Sequence, residues 1–583
     1  MNGFSQNFIS YTKSAVKGAK ELKTLSLSKL RKVFSLLGKR EKIALGVLLA
    51  VAIFSFVVSV QNFYYAITVP AATYGGSYTE GLLGQPVYIN PLLASQDPDL
   101  SLTNLVFSGL YKYGDKGQLV PDLANGMPTI SEDQKQYSVN LKQNATWHNN
   151  KPVTADDVVF TIQTLQDPNF KSPLRPLWQA TAIEKLSDYS VKFTTKNVSV
   201  PFLNSLTLPI LPKSVWSNVG SQKFLLSQYN QEAIGSGPYS IKEIKKLPSG
   251  KVEQITLASF PGYFGDRAKI DELVIKFYDT EDDILNAFHS REIEGFGFVP
   301  LGSSLFVDKN QNQAQVLSVP LPQYQVVFFN LNNKILADQN VRTALSLATD
   351  KHQIIDQVFK GNALLPVSPL VFNDPQNPQT IPSVVDITKA KNLLESSGWA
   401  IDPKTNLRTK KGQVFKISIA TNDSIVNAQA AEVLANQWKA LDVQVNLTVL
   451  PSKQLTDTLI KPRGFDVLLF PQKFGADPDP FLFWHSSQIK DPGFNLTGFS
   501  DPAADKLIVE ARSTTNREAR AQKYVEFNNL IMSKVPIIFL DQTEFVYTVD
   551  NSIKNIKLNF LYDPSQRFSN INTWYIAEKR VWK

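Results

Sequence analysis

Hydrophobic residues fall in two different regimes along the chain. Eighteen consecutive residues, Ile43–Val60 (IALGVLLAVAIFSFVVSV), carry no charge at all, and no other stretch matches them. At 1.5 Å rise per residue such a helix reaches about 27 Å, most of a bilayer's hydrocarbon core, so a membrane-spanning helix is expected over 43–62. Phe63, Tyr64 and Tyr65 follow where an interfacial aromatic belt falls. Beyond them the period alternates between two and 3.6. Tyr137–Leu141 and Val191–Thr194 alternate and are rich in β-branched residues, which predicts strands. Thr154-Ala155-Asp156-Asp157 predicts a helix start, with Thr154 as N-cap and Asp157 near the positive end of the dipole, and the helix runs to Asp167-Pro168. Further helices are predicted over Val341–Lys360, closed by Gly361, and over Ile425–Leu441, ahead of a strand Val443–Leu450. Asp466–Phe470 is a continuous apolar run and predicts a short, fully buried strand. Interleaved strands and helices give a mixed α/β class.

Charge changes this picture in one respect. The chain has 60 basic and 52 acidic residues, a formal +8. Residues 1–42 hold ten basic and two acidic residues, so the remainder balances at 50 and 50. The whole excess therefore precedes the apolar run, and no Lys or Arg follows it until Lys112. By the positive-inside rule the basic tail is cytoplasmic and everything after the helix is extracytoplasmic. The balanced outer region offers no basic field for nucleic acid. The tail interleaves its charges with Leu22, Leu25, Leu30, Val33, Phe34 and Leu37, and either lies on anionic lipid or serves only to set orientation. A cleaved signal is the alternative to an anchor, with Val69-Pro70-Ala71 as the candidate site, but the lead and the run are both longer than a signal peptide's. There is no cysteine, which rules out lipid attachment through Cys, disulfides, thiolate metal sites and a Cys nucleophile. Residues 63–75 read as a stalk. About 510 residues remain, enough for two or three compact units.

Local signatures of catalysis are missing. The histidines His148, His289, His352 and His485 form no HExxH pair, and no GxSxG elbow, Walker loop or dinucleotide fingerprint occurs. Gly235-Ser236-Gly237-Pro238-Tyr239 lacks the Lys-Ser/Thr of a phosphate cradle and reads as a tight turn into a strand. The most informative segment is Phe474-Gly475-Ala476-Asp477-Pro478-Asp479-Pro480-Phe481-Leu482-Phe483-Trp484-His485. It begins at the end of the buried strand, where α/β folds place ligands. Asp479 before Pro480 matches a helix cap. Asp477 has no such task and is suited either to a cation, such as an α-ammonium, or to a solvated turn. Phe481, Phe483 and Trp484 line a pocket or fill a core.

The chain resembles the extracytoplasmic solute-binding proteins of the peptide/nickel class (family 5) that serve ABC importers. Nine stretches carry the likeness in order: Tyr88–Leu92, Phe107–Tyr113, Leu119–Ala124, Trp147–Val158, Gly235–Tyr239, Phe329-Asn330, Val341–Asp350, Ala390–Leu394 with Gly398-Trp399, and Gly475–Asp477 with Asp479-Pro480. The resemblance implies a two-lobed, periplasmic-binding-protein-like clamshell of type II with an extra inserted subdomain. Lobe one would cover 76–324, with the insertion near 113–200; lobe two 325–540; and 541–583 would return to lobe one. The chain would cross between lobes near Pro320–Phe329 and Ile537–Glu544. In peptide-binding relatives an aspartate matching Asp477 pairs with the ligand's ammonium. Asp477, Trp484, Phe481, His485 and Phe329 are the candidate ligand-binding residues, and His148 is read as structural. The expected function is capture of oligopeptides for an ABC permease by a membrane-anchored monomer, with no enzymatic activity, cofactor, resident metal or nucleic-acid partner. A nickel chelate (for which His485 would be suited), haem or an oligosaccharide are alternative ligands. A non-transport sensor or an anchored hydrolase are alternative classes.

Overall fold

The computed structural model describes residues 35–583 except 171, 173, 299–313, 362, 367–383 and 478, and leaves aside the side chains at 176, 221, 298 and 517. Most of the basic tail, residues 1–34, lies outside the described residues. The chain divides into a small unit, up to Ala72 with Glu578–Lys583, and a large one, Thr73–Ala577.

The small unit is built on a helix, Lys39–Ile67, of 29 residues with none buried. Its mean hydropathy reaches 2.8 over 18 residues, so by length and composition it can cross a membrane. At 1.5 Å per residue it spans about 43 Å, the thickness of a bilayer with its headgroups. The expected stalk takes a different form. Residues up to Ile67 continue the helix, and Thr68–Ala72 is a strand paired antiparallel with Glu578–Trp582, Thr68 opposite Trp582 and Ala72 opposite Glu578. Arg580 explains the join. Its Nη2 donates to the carbonyls of Thr68 (2.7 Å) and Tyr65 (3.2 Å), its Nε donates to Thr68 Oγ1 (2.9 Å), and its guanidinium lies 4.3 Å from the Tyr65 ring centroid. Carbonyls at a helix end need such donors. Glu578–Lys583 therefore belongs to the small unit rather than to the return segment expected over 541–583.

The large unit is organised by one ten-stranded sheet. Its order is Gln444–Leu450, Lys416–Asn422, Val467–Lys473, Ala314–Phe329, Ile537–Asp550, Gly295–Phe298, Ser77–Leu83, Glu272–Tyr278, Val252–Ser259 and Tyr239–Lys246. Two long antiparallel strands, Ala314–Phe329 and Ile537–Asp550, run the length of its middle. Gln323–Phe329 pairs with Val467–Lys473, whereas the far half of Ile537–Asp550 pairs with Gly295–Phe298. Their mutual register breaks between Pro320 and Tyr324, where proline has no N–H to give to the ladder. Buried side chains divide at the same place. One core takes Val319 and Leu321 from the first strand and Phe545, Tyr547 and Val549 from the second. Two other cores take Tyr324 onward and Ile537–Leu540.

A four-stranded antiparallel sheet, Thr129–Ile130, Gln136–Asn140, Ser190–Thr195 and Thr181–Ser187, packs with the helix Ala155–Gln166, within the range expected for an insertion. Asp157 starts that helix by accepting the Thr154 N–H at 2.8 Å. The predicted helix Val341–Lys360 is two helices, Gln339–Leu347 and Lys351–Val358. Asp350 divides them, because its carboxylate accepts the Gln353 N–H at 3.0 Å and caps a new helix.

Candidate ligand cavity

The buried strand Val467–Lys473 delivers the chain to the Phe474–His485 segment. Phe474 anchors it: its N–H donates to Pro322 O at 2.8 Å, and its ring, 1% exposed, packs on Tyr324 and Phe483. With the backbone fixed there, Gly475–Asp477, Asp479 and Phe481–Phe483 wall one side of a cavity of about 900 Å³. Segments around Tyr113, Asn204 and Tyr562 form the facing side. The volume lies at the upper end of small-molecule pockets, roughly 300–1,000 Å³.

Acids in this cavity are matched to cations of the chain itself. Asp477 is 10% exposed, and both its oxygens accept from Arg520 Nη2, at 2.7 and 2.9 Å. Its Oδ2 also accepts from Asn204 Nδ2 (2.8 Å), and Asn204 Oδ1 accepts the Tyr113 hydroxyl (2.8 Å). Burial opposes the charge on Arg520, but Asp477 and the Tyr524 hydroxyl together outweigh it and hold its pKa above the ordinary value. The short helix begins at Phe481, with Pro480 rather than Asp479 at its N-cap; Asp479 still accepts the Phe481 N–H at 3.1 Å and pairs with Arg512 Nε at 3.0 Å. Burial raises its pKa, Arg512 pulling the other way. Arg512 lies 4.2 Å from the Phe481 ring centroid. Lys473 pairs with Asp563, and Lys112 with Asp122 at 3.3 Å. Among the described residues, hydrogen bonds that tie the walls together include Asn204 to Asp477, Val200 N–H to the Arg512 carbonyl at 2.9 Å, and Lys473 to Asp563.

Of the residues singled out from sequence, Asp477 and Phe481 line the cavity. Phe329, Trp484 and His485 do not. Phe329 is fully buried and stacks on Trp438 at 6.1 Å. Trp484, 2% exposed, packs against Phe499 and Phe527. His485 stacks under Phe481 at 4.5 Å, its Nδ1 engaged by Ser487 at 2.8 Å. Packing explains all three, since large rings beside a buried strand are its natural cover. Among the described residues no three His, Cys, Asp or Glu side chains gather as metal ligands. His148 is held by backbone: Nδ1 accepts the Gly235 N–H (3.2 Å) and Nε2 lies 3.1 Å from Gly237 O. Burial lowers its pKa to about 4. The glycines around it have a steric reason, since a Cβ on Gly235 would fall 1.9 Å from Val106 O. Asn204, Arg512 and Arg520 were not anticipated. Arg520 lies 43 residues beyond its partner, on the helix Arg517–Lys534, and no local signal marks it.

The profile of the bacterial extracellular solute-binding proteins, family 5 (middle), matches residues 118–492. The oligopeptide-binding protein AppA of Bacillus subtilis is 27% identical over 513 residues, covering 86% of this chain and 92% of that protein. Its structure in complex with a nonapeptide superposes with a TM-score of 0.70 at 26% identity, covering 87% of this chain and all (100%) of that one. NikZ from Campylobacter jejuni in complex with Ni(L-His) gives a TM-score of 0.70 at 26% identity, covering 86% and 99%. A profile matching more than half of the chain, carried on an α/β fold shared with these structures, establishes that the chain belongs to the family 5 bacterial extracellular solute-binding proteins.

Proposed function

We propose that this protein is a membrane-anchored receptor that captures oligopeptides and hands them to an ABC permease. The observation that carries the reading is the cavity of about 900 Å³ with Asp477 in its wall, in a chain similar along most of its length to a protein that holds a nonapeptide. In this reading 76–324 with the segment after 541 is one lobe and 325–540 the other. They hinge where the two long strands change cores. Backbone groups of an extended peptide pair with the lobes, which gives affinity with little sequence preference. Side chains sit in pockets where water bridges varied groups. Asp477 takes the ammonium at one end of the peptide. The four acid–base pairs leave the cavity walls near neutrality, which suits a zwitterion better than a strongly charged ligand. The helix Lys39–Ile67 holds the receptor at the cell membrane, basic tail inside and large unit outside. It acts as a monomer, as a binder rather than an enzyme, and without nucleic acid.

The test is to purify the full chain in mild detergent without refolding and identify by mass spectrometry what it releases on denaturation. A ladder of short peptides is expected. A single sugar, haem or a nickel chelate would replace the peptide reading.

A further inference from the structure

The chain has eight tryptophans. Seven are buried, at 4% exposure or less, while Trp582 is 72% exposed. This one indole lies in the strand Glu578–Trp582, opposite Thr68 at the end of the apolar helix. Phe63, Tyr64 and Tyr65, at 66%, 43% and 49% exposure, occupy the last turns of that helix. Arg580 lies 4.3 and 5.9 Å from the Tyr65 and Tyr64 ring centroids, so strand and aromatic turn form one surface. Lys583 N–H closes the ribbon on Ile67 O at 2.9 Å. Six residues, Glu578–Lys583, thus bring Lys579, Arg580 and Lys583 against the single acid Glu578. Tyr and Trp, apolar in body and polar at one tip, collect at the membrane–water interface, and nearby Lys and Arg bind phosphate headgroups.

We infer that the strand Glu578–Lys583 is a membrane-surface element, with Trp582 seated among the headgroups beside Tyr64 and Tyr65 and with the Lys583 end of the strand at the level of lipid phosphate. It rests on the reading of Lys39–Ile67 as an anchor and adds a second point of lipid contact, about 500 residues later in the chain. The occupant is lipid rather than protein because the surface is continuous with a helix whose own apolar faces are all exposed. It also pairs aromatic with cationic groups, as a headgroup layer requires.

The absence of cysteine allows a clean test on the full chain. A single cysteine is placed at Lys583→Cys or at Glu578→Cys and carries an environment-sensitive fluorophore. The protein is reconstituted in phosphatidylcholine–phosphatidylglycerol vesicles containing a headgroup-nitroxide lipid. Alkaline extraction of the same vesicles reports separately whether the helix is inserted. Position 578 is five residues farther up the ribbon, about 17 Å, so quenching at 583 is expected to exceed that at 578 at least about twofold. Adding Trp582→Ser is expected to reduce quenching at 583. Resistance to extraction with equal, weak quenching at both positions would overturn the inference and leave the anchor standing, freeing the strand for a protein partner. Release on extraction would overturn both readings.

Discussion

A carboxylate offers about four lone-pair directions, and at Asp477 three are in use. Arg520 Nη2 takes one on each oxygen and Asn204 a second on Oδ2. One direction on Oδ1 is left for a ligand's ammonium, which would share the charge with Arg520. Asp477→Asn removes that charge, so peptide affinity measured by titration calorimetry is expected to fall at least about tenfold, or roughly 1.4 kcal/mol. The loss of one member of an enclosed charge pair costs about 2–5 kcal/mol, much of it from stranding the other. Unchanged affinity in a variant that still folds would remove Asp477 from the site. Glu80 and Arg567 form a different kind of pair. Both are fully buried, Arg567 Nε donates to Glu80 Oε1 at 2.8 Å, and the Tyr547 hydroxyl donates to Glu80 Oε2 at 2.7 Å. No cavity ligand is involved, so the effect of breaking them belongs to stability. Glu80→Gln leaves Arg567 charged and dry, and denaturant unfolding is expected to show a loss of about 3–5 kcal/mol. A loss below about 1 kcal/mol, the value of an exposed pair, would contradict this account.

Elements show what the one-dimensional pattern carries and what it omits. The strands Gln136–Asn140 and Ser190–Thr195 lie within a residue or two of where alternation predicts them, because one face is dry and the other wet. The split of Val341–Lys360 escapes periodicity, since Asp350 acts through a local cap while the apolar rhythm continues past it. The ribbon Thr68–Ala72 with Glu578–Trp582 was illegible because its two halves lie about 500 residues apart, beyond any window of local pattern. It also bears on processing: Val69, Pro70 and Ala71, the candidate cleavage site, are paired with Val581, Arg580 and Lys579. Phe329, Trp484 and His485 show the matching limit at the cavity. Proximity in sequence to a site says which strand a ring covers, not which side of it the ring faces.

The long strand Ile537–Asp550 holds a further feature. Asp541 is fully buried on it, opposite Gln325, and neither of its oxygens has a hydrogen-bond partner. Gln325 gives its amide to Asn427 (2.9 Å) and is left with an unpaired Oε1. Burial raises the Asp541 pKa from 3.8 to about 8. With the folded value above the unfolded one, the unfolded chain releases its proton first, and folding weakens as pH rises between about 3.8 and 8. An amide pays no such proton cost and has a donor for Gln325. Asp541→Asn is therefore expected to raise the melting temperature at pH 7, by about 1–2 °C for a change on the order of 1–2 kcal/mol in a unit of this size. The gain should shrink as pH falls towards 4. A melting temperature lowered more at pH 7 than at pH 4 would mean that Asp541 is ionised and paired in the folded protein.

Asp541 lies where the large unit changes cores, between Leu540 on one side and Phe545 on the other. Among the described residues, only the two long strands carry continuous backbone through that change, and the register break at Pro320–Tyr324 falls there too. Against them, the cavity walls are joined by few groups, among them Asn204 with Asp477 and Val200 with Arg512. These hydrogen bonds and the half-exposed Lys473–Asp563 pair contribute about 1 kcal/mol each, and somewhat more where a partner is charged. Such contacts bias closure without locking it, so the ligand-free protein should sample open forms and a peptide spanning both walls should favour the closed one. The chain's lack of cysteine permits a donor–acceptor dye pair at Leu186→Cys and Glu518→Cys, both exposed. Single-molecule energy transfer is expected to show at least two populations without ligand, and peptide is expected to shift weight towards the shorter distance. Asn204→Ala removes one tie while leaving both long strands intact, and should move the ligand-free population towards the open state. A single distance, unchanged by peptide or by this substitution, would mean that the paired strands act as a rigid floor and that ligand enters by loop motion alone.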